Sequence, residues 1–288
     1  MSTTSEEQAH SAAAGTTYTV LLSLSLCHLL NDTIQSLLPA HDPVLRENYA
    51  LSFTQIGFLH YTFHATATVF QPVIGFSTDR KPRFRLLPIG MGLSLAGLLT
   101  LAFAGGYPLL VCAALFIGFG SAIFHPDASR LARAASGGKY GLAQSVFQVG
   151  GNAGSAIGPL LAAFVVLPLG QSSVALFSVL ALLGIFVLWR VGDWARERYK
   201  RRSNVSGAIP AIPRDAIWIV AILALLILSK YLYIACLTGF YTFFVIEKFG
   251  VSIQSSQVLL FVFLGALAVG TLAGGPIGDR IGRKAVIW

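Results

Sequence analysis

Gly275-Pro276-Ile277-Gly278-Asp279-Arg280-Ile281-Gly282-Arg283-Lys284 is the stretch on which the reading of this chain turns. Two hundred residues earlier, Gly75, Asp79, Arg80 and Arg83 stand in the same Gly-x-x-x-Asp-Arg-x-x-Arg spacing as Gly275, Asp279, Arg280 and Arg283. The same offset aligns Leu51-Ser52-Phe53 with Val251-Ser252-Ile253, each opening the apolar run that leads into the motif. Self-similarity at a fixed offset marks a repeated structural unit.

The runs themselves set the fold class. Of 288 residues, 55% are AVILMFWYC and 11% are charged, where a soluble domain carries about 25% charge. Mean hydropathy is +0.71. These values exclude a disordered chain and leave a soluble fold nowhere dry to put its side chains. A membrane-spanning helix takes roughly 17–25 apolar residues, and such runs begin near Tyr18, Ile56, Leu86, Pro108, Ala143, Ser173, Ile217 and Val258. The chain is therefore read as an all-α membrane protein. Cys27, Cys112 and Cys236 lie far apart inside apolar runs and read as small core residues, not as metal ligands or disulfides.

Seventeen of the twenty Lys and Arg residues fall in the spacers after the second, fourth, sixth and eighth runs. Arg46 and Lys248 alone lie on the opposite face, and Lys230 lies within a run. Over short loops this asymmetry predicts a cytoplasmic N-terminus. The net charge of +8 is thus topological, and nucleic acid is excluded as a partner. Residues 1–17, polar and without Lys or Arg, are expected to form a disordered cytoplasmic tail rather than a signal peptide. Residues 18–192 form a six-helix half, 193–214 a basic cytoplasmic linker, and 215–288 the first two helices of a second half.

Two parallel six-span repeats describe the major facilitator superfamily of transporters, and the chain resembles it. The 275–284 stretch is similar to that superfamily's signature between helices 2 and 3, repeated between helices 8 and 9. The resemblance implies a twelve-helix fold of which eight are present, and a conformational latch at Gly75, Asp79, Arg80, Arg83, Gly275, Asp279, Arg280, Gly282 and Arg283. Pro82 departs from the pattern where the second copy has Gly282. Gly154-Ser155-Ala156-Ile157-Gly158-Pro159 resembles the antiporter motif of drug–proton exchangers, with Ala162 and Ala163 in place of its final glycines. Cys27-His28-Leu29-Leu30-Asn31-Asp32, Phe124-His125-Pro126-Asp127-Ala128-Ser129-Arg130 and the stretch from Gly141 to Asn152 resemble the fosmidomycin-resistance family of bacterial inner-membrane exporters. That resemblance implies proton-coupled efflux of a small anionic drug. A metabolite or organic-anion symporter is the alternative, and an inactive fragment the third possibility. Ala114 stands where many drug–proton antiporters carry an Arg, so that role does not transfer.

Ionisable groups inside a span are costly and usually functional. His28, Asn31, Asp32 and Gln35 share one face of the first span. Lys230 in the seventh falls, by the repeat, about 3 Å in depth from Asp32. The resemblance implies a central cavity lined by helices 1, 4, 7 and 10, so an Asp32–Lys230 pair is expected. It is either a structural pair or a proton- or substrate-dependent one, with Lys230 as substrate counter-ion and Asp32 as the exchanging carboxylate. On the fifth span, Gly150, Gly154 and Gly158 form a small-residue stripe for close packing. Gln144, Gln148 and Asn152 point the other way, toward a cavity or a neighbouring helix. His60 and His64 lie one turn apart, but no third metal ligand is near in sequence, so polar packing or a pH-sensitive lining is expected. His125-Pro126-Asp127 is expected to end the fourth span, with Asp127 capping a short helix Ala128–Ala135.

No P-loop, dinucleotide fingerprint or nucleophile elbow is present, so no enzyme, metal or cofactor is expected. The proton gradient supplies the energy, and the partners are an anionic small molecule, protons and the bilayer, with no obligate protein. A complete two-repeat chain should run to roughly 390–400 residues. The 288-residue chain is accordingly expected to insert but to confer no resistance alone.

Overall fold

The computed structural model describes residues 16–80, 83–202 and 214–282. Its secondary structure is helical throughout the described residues, in eight rods. They are α1 Tyr18–Tyr49, α2 Phe53–Arg80, α3 Leu86–Ala102, α4 Tyr107–Ala135, α5 Tyr140–Leu161, α6 Ser178–Arg202, α7 Arg214–Phe249 and α8 Ile253–Ile281. A π-helical turn Ala162–Val166 and one α-turn Leu167–Leu169 extend α5, and a 3-10 stretch Gln171–Phe177 leads into α6. In lipid the backbone must satisfy its own hydrogen bonds, which is why so apolar a chain folds as unbroken helices.

By length and composition, five of the eight are apolar enough to cross a membrane: 107–135, 140–169, 171–200, 217–249 and 253–273. Of the others, α3 has only 17 residues. α1 carries His28, Asn31, Asp32, Gln35, His41 and Asp42 along its length, and α2 carries its own histidines. The polar stripes that lower the hydropathy of α1 and α2 are the ones that matter below.

The main core joins α1, α3, α4 and α6 around Leu24, Leu38, Met91, Leu98, Ile117 and Leu188. Close approach decides it. A Cβ on Gly120 of α4 would lie 2.8 Å from the Gly90 carbonyl of α3, so only glycine lets the two backbones meet there. A smaller core of Ala156, Leu260 and Leu264 joins α5 to α8.

The repeat is visible in the backbone. α1 and α7 end at Tyr49 and Phe249, and α2 and α8 begin at Phe53 and Ile253. Between them Ala50 (φ 48°) and Gly250 (φ 64°) are both left-handed, the usual way to stop a helix. Ser52 Oγ then accepts from the Gln55 amide, and Ser252 Oγ from the Ser255 amide, so both hairpins share one capping device.

Some boundaries differ from the sequence reading. Thr17 donates its amide to Ala135 O, and Thr16 Oγ1 donates to Ser136 O. These two tail residues thus satisfy carbonyls at the end of α4. α6 stays helical through Arg202, well into the stretch read as linker. α4 runs unbroken through Pro126 to Ala135. Asp127 caps no new helix; it is buried and bonds Arg130 at 3.0 Å. Of the cysteines only Cys27 is buried; Cys112 and Cys236 are exposed on the helical surface.

Candidate functional site

The first span's polar face leads to a buried cluster. His28 and Asp32 are one turn apart on α1, with Nε2 and Oδ2 3.3 Å apart. From α4, His125 brings its Nε2 to 3.4 Å from Asp32 Oδ1. The Asp32 carboxylate is therefore bracketed by two imidazoles. Asn31 Nδ2 donates to Asp32 Oδ1 at 3.3 Å, and Ser94 Oγ of α3 donates to Asn31 Oδ1 at 3.3 Å. Each ring is anchored on its far side. His28 Nδ1 lies 2.8 Å from Phe147 O of α5, and His125 Nδ1 lies 3.0 Å from Ser121 O. A carbonyl only accepts, so both Nδ1 atoms carry hydrogen and both Nε2 atoms face the carboxylate.

The cluster fits because α5 is small where it passes. A Cβ on Gly151 would collide with the His28 ring and with Asp32 Oδ2. Gly150, Gly154 and Gly158 bear on Ser25 O, Leu29 O and Ser36 of α1, so the glycine stripe does pack on a helix as its spacing predicts. Phe147 stacks on His28 with ring centroids 4.1 Å apart. His28 is 2% exposed, whereas the Asp32 and His125 side chains are 15% and 27% exposed, so the cluster opens on the α4 side.

Lys230 takes no part. It lies on α7 in a stretch, 217–233, in which every residue is exposed, and its nearest ring is Tyr231 at 5.7 Å. The expected Asp32–Lys230 pair is not formed. Matched depth did not bring the two together, because α7 meets α1 through its other end. There Arg46 Nη1 lies 3.7 Å from Glu247 Oε1 and stacks 3.9 Å over Phe53. His125, read as part of a helix end, is instead a member of the cluster. The signal that would have found it was available: an ionisable residue within the fourth apolar span, subject to the insertion cost that flags Asp32.

A second polar group lies toward the Tyr49 end of α1. His60 Nε2 lies 2.5 Å from Asp42 Oδ2, and Asp42 is fully buried. The acidic partner that sequence proximity did not offer His60 comes from the preceding helix. His64 does not join it and is exposed beside Phe63. Gln257 of α8 donates to Ala40 O at 2.6 Å, a bond between the two repeats at this level. Gln35, with its Nε2 buried and without a hydrogen-bond partner, joins neither group.

The amide stripe serves neighbouring helices. Gln144 accepts from Ser129 Oγ, Gln148 donates to Asn152, and Asn152 donates to Thr271 Oγ1 of α8 at 3.0 Å. Pro159 is buried in α5. In the first latch motif, Gly75 approaches Pro126 only to ordinary contact distance, 3.7 Å for a Cβ. The tie between α2 and α4 is made by Arg130, which donates to Thr78 O at 2.7 Å while bonding Asp127. Asp79 and Arg130 line a cavity of about 270 Å³ with Arg198 and Trp194, and Arg83 is exposed. The side chains of Arg80, Gly275, Asp279, Arg280 and Arg283 lie outside the described residues. Gly282 has φ +91°, a conformation closed to proline; Pro82 lies outside the described residues.

The family model of the Major Facilitator Superfamily matches residues 21–288. The chain is 48% identical over 283 residues, 97% of its length, to the fosmidomycin resistance protein of Escherichia coli (strain K12). It is 40% identical over 278 residues, 94% of its length, to an uncharacterized MFS-type transporter of Bacillus subtilis (strain 168). These alignments span 70% and 68% of the two relatives. The fold is similar to that of a bacterial homolog of the human lysosomal transporter Spinster in an inward-facing, unoccupied conformation. The TM-score is 0.68 at 16% identity, over 93% of this chain and 63% of that one, so the chain spans less than two thirds of the solved protein. With the family matched along nearly the whole sequence and its helical architecture found in the structure, the protein belongs to the Major Facilitator Superfamily of membrane transporters.

Proposed function

We propose that the protein works in drug efflux, carrying a small anion such as fosmidomycin out across the bacterial inner membrane in exchange for protons. The observation that carries this reading is the His28–Asp32–His125 cluster. Three ionisable side chains from two helices are gathered inside the bundle of a transporter, where such groups are expensive to insert and serve transport when present. The name of the Escherichia coli relative supplies the substrate class, and the antiporter-like Gly154-x-x-x-Gly158-Pro159 stripe on α5 supports exchange over symport. The excess of Lys and Arg in alternate spacers supports an N-terminus in the cytoplasm. Asp32 is the carboxylate best placed to hand protons on, and Lys230, free of any carboxylate partner among the described residues, is available to an anion.

The test is the inhibitory concentration of fosmidomycin in a sensitive strain expressing the protein. It should rise several-fold, and fall back with an uncoupler or with Asp32→Asn at matched membrane abundance. Increased sensitivity instead would mean uptake, and the organic-anion symporter would replace this reading.

A further inference from the structure

We propose that His28, Asp32 and His125 form a binding site for a divalent transition cation of the zinc class, held by Nε2 of each imidazole and one carboxylate oxygen. The donor set is that of an open zinc site: two imidazoles and a carboxylate, with a fourth position left to solvent or substrate. Among the described residues these are the three His, Cys, Asp or Glu side chains whose ligand atoms converge, all within 4.8 Å of one another.

Distances fit the chemistry. His28 Nε2 lies 3.3 Å from Asp32 Oδ2, and His125 Nε2 lies 3.4 Å from the other carboxylate oxygen, Oδ1. A tetrahedral ion with bonds of about 2.0–2.1 Å holds its ligands about 3.3–3.4 Å apart. The ligand atoms lie within 4.8 Å of one another, so gathering them on one ion requires a turn of the carboxylate and a small shift of His125, the more exposed ring.

The second shell is that of a metal site. Histidine ligands characteristically donate their other N–H to a carbonyl or carboxylate, which fixes the tautomer and aims the ring. Both rings do so here, to Phe147 O and Ser121 O. Their neutral forms therefore present bare Nε2 lone pairs to a carboxylate, an arrangement that repels unless positive charge lies between. One proton in each gap supplies that charge, and so does one divalent ion. Asn31, itself held by Ser94, steadies the carboxylate, and Gly151 leaves α5 no side chain to intrude. The His60–Asp42 pair lacks these features: it has one imidazole, and His64 does not join it.

Binding by this triad engages the same side chains as the proposed drug–proton exchange, but it is measured without transport. The full chain, purified in detergent with a tag free of histidine, is titrated with Co²⁺ and then with Zn²⁺. Wild type should show the intense visible bands of tetrahedral Co²⁺, displaced by one equivalent of Zn²⁺, with proton release seen as a buffer-dependent heat. Asp32→Asn and His125→Gln should each weaken Zn²⁺ binding by about 10-fold or more. Asp32→Asn keeps the side chain's shape, so the comparison survives if His125→Gln fails to fold. Absent tetrahedral bands in wild type, or equal Zn²⁺ affinity in wild type and Asp32→Asn, would overturn the site. Loss of drug resistance in Asp32→Asn with Zn²⁺ affinity intact would overturn the metal site and leave the exchange reading standing.

Discussion

Gly154 and Gly92 are both helical glycines, and the same substitution should act on them in opposite directions. At Gly154 a Cβ would strike the Leu29 carbonyl of α1, whereas at Gly92 nothing lies within 4 Å. Gly154→Ala forces two helices apart and should cost roughly 1–3 kcal/mol, the usual price of overpacking. Gly92→Ala meets no neighbour and should gain up to about 1 kcal/mol through helix propensity. Thermal unfolding of the two variants in one detergent checks both signs. At this scale the sequence was partly legible. The four-residue spacing of His28 and Asp32 states that they share a helical face, and the glycine spacing states that α5 packs tightly. Nothing local connects Asp32 to His125, 93 positions away, because that contact exists only once α1, α4 and α5 are assembled.

Helices and their ends were legible where the chain carries a stop signal, and misread where the solvent differs from water. Pro126 with Asp127 behind it reads as a helix terminus on rules drawn from soluble proteins. In a bilayer, neighbouring groups take up the carbonyl that proline leaves free, and α4 continues. The α1–α2 and α7–α8 hairpins show the opposite case. A left-handed residue and a serine cap recur at the same offset, although Ala50 stands where the second copy has Gly250. An alanine at φ 48° is strained where a glycine is not. Ala50→Gly should therefore stabilise the protein by about 0.5–1 kcal/mol, and Gly250→Ala should destabilise it by a similar amount. Chemical denaturation midpoints of the pair provide the measurement. Unequal signs are required; a shared sign would mean that the two turns are not equivalent.

For the molecule as a whole, the placement of Lys and Arg predicts which ends of the helices lie together. The α3–α4 turn at Gly106 and the stretch after α6 must fall on opposite faces, since α4, α5 and α6 intervene as three successive crossings. Alkaline phosphatase fused at Gly106 should be active outside the cytoplasm, and fused at Ser203 it should be inactive. The reverse pattern would invert the orientation inferred from Lys and Arg. What the sequence could not give at this scale was the relation between the two repeats. Matched depth on two cavity-lining helices does not pair Lys230 with Asp32, because depth says nothing about azimuth. The contacts that do join the repeats sit elsewhere, in Gln257 on Ala40, Arg46 against Glu247, and the α5–α8 core.

The glycine stripe on α5 has a mechanical consequence. Three successive turns of α5 sit against α1 with nothing larger than the side chains of Ser25 and Ser36 between, so the pair has neither the slack to slide nor a compressible layer to absorb load. α1 and α5 thus behave as one stiff beam, and the anchor of His28 on Phe147 travels with it. The α5–α8 seam is built differently, from Ala156 against Leu260 and Leu264, with side-chain hydrogen bonds from Asn152 to Thr271 Oγ1 and from Gln254 to Ala163 O in the turn that extends α5. Any stroke that swings one repeat against the other will find its compliance at that seam, and the cluster around Asp32 will ride through the movement as rigid cargo of the first repeat.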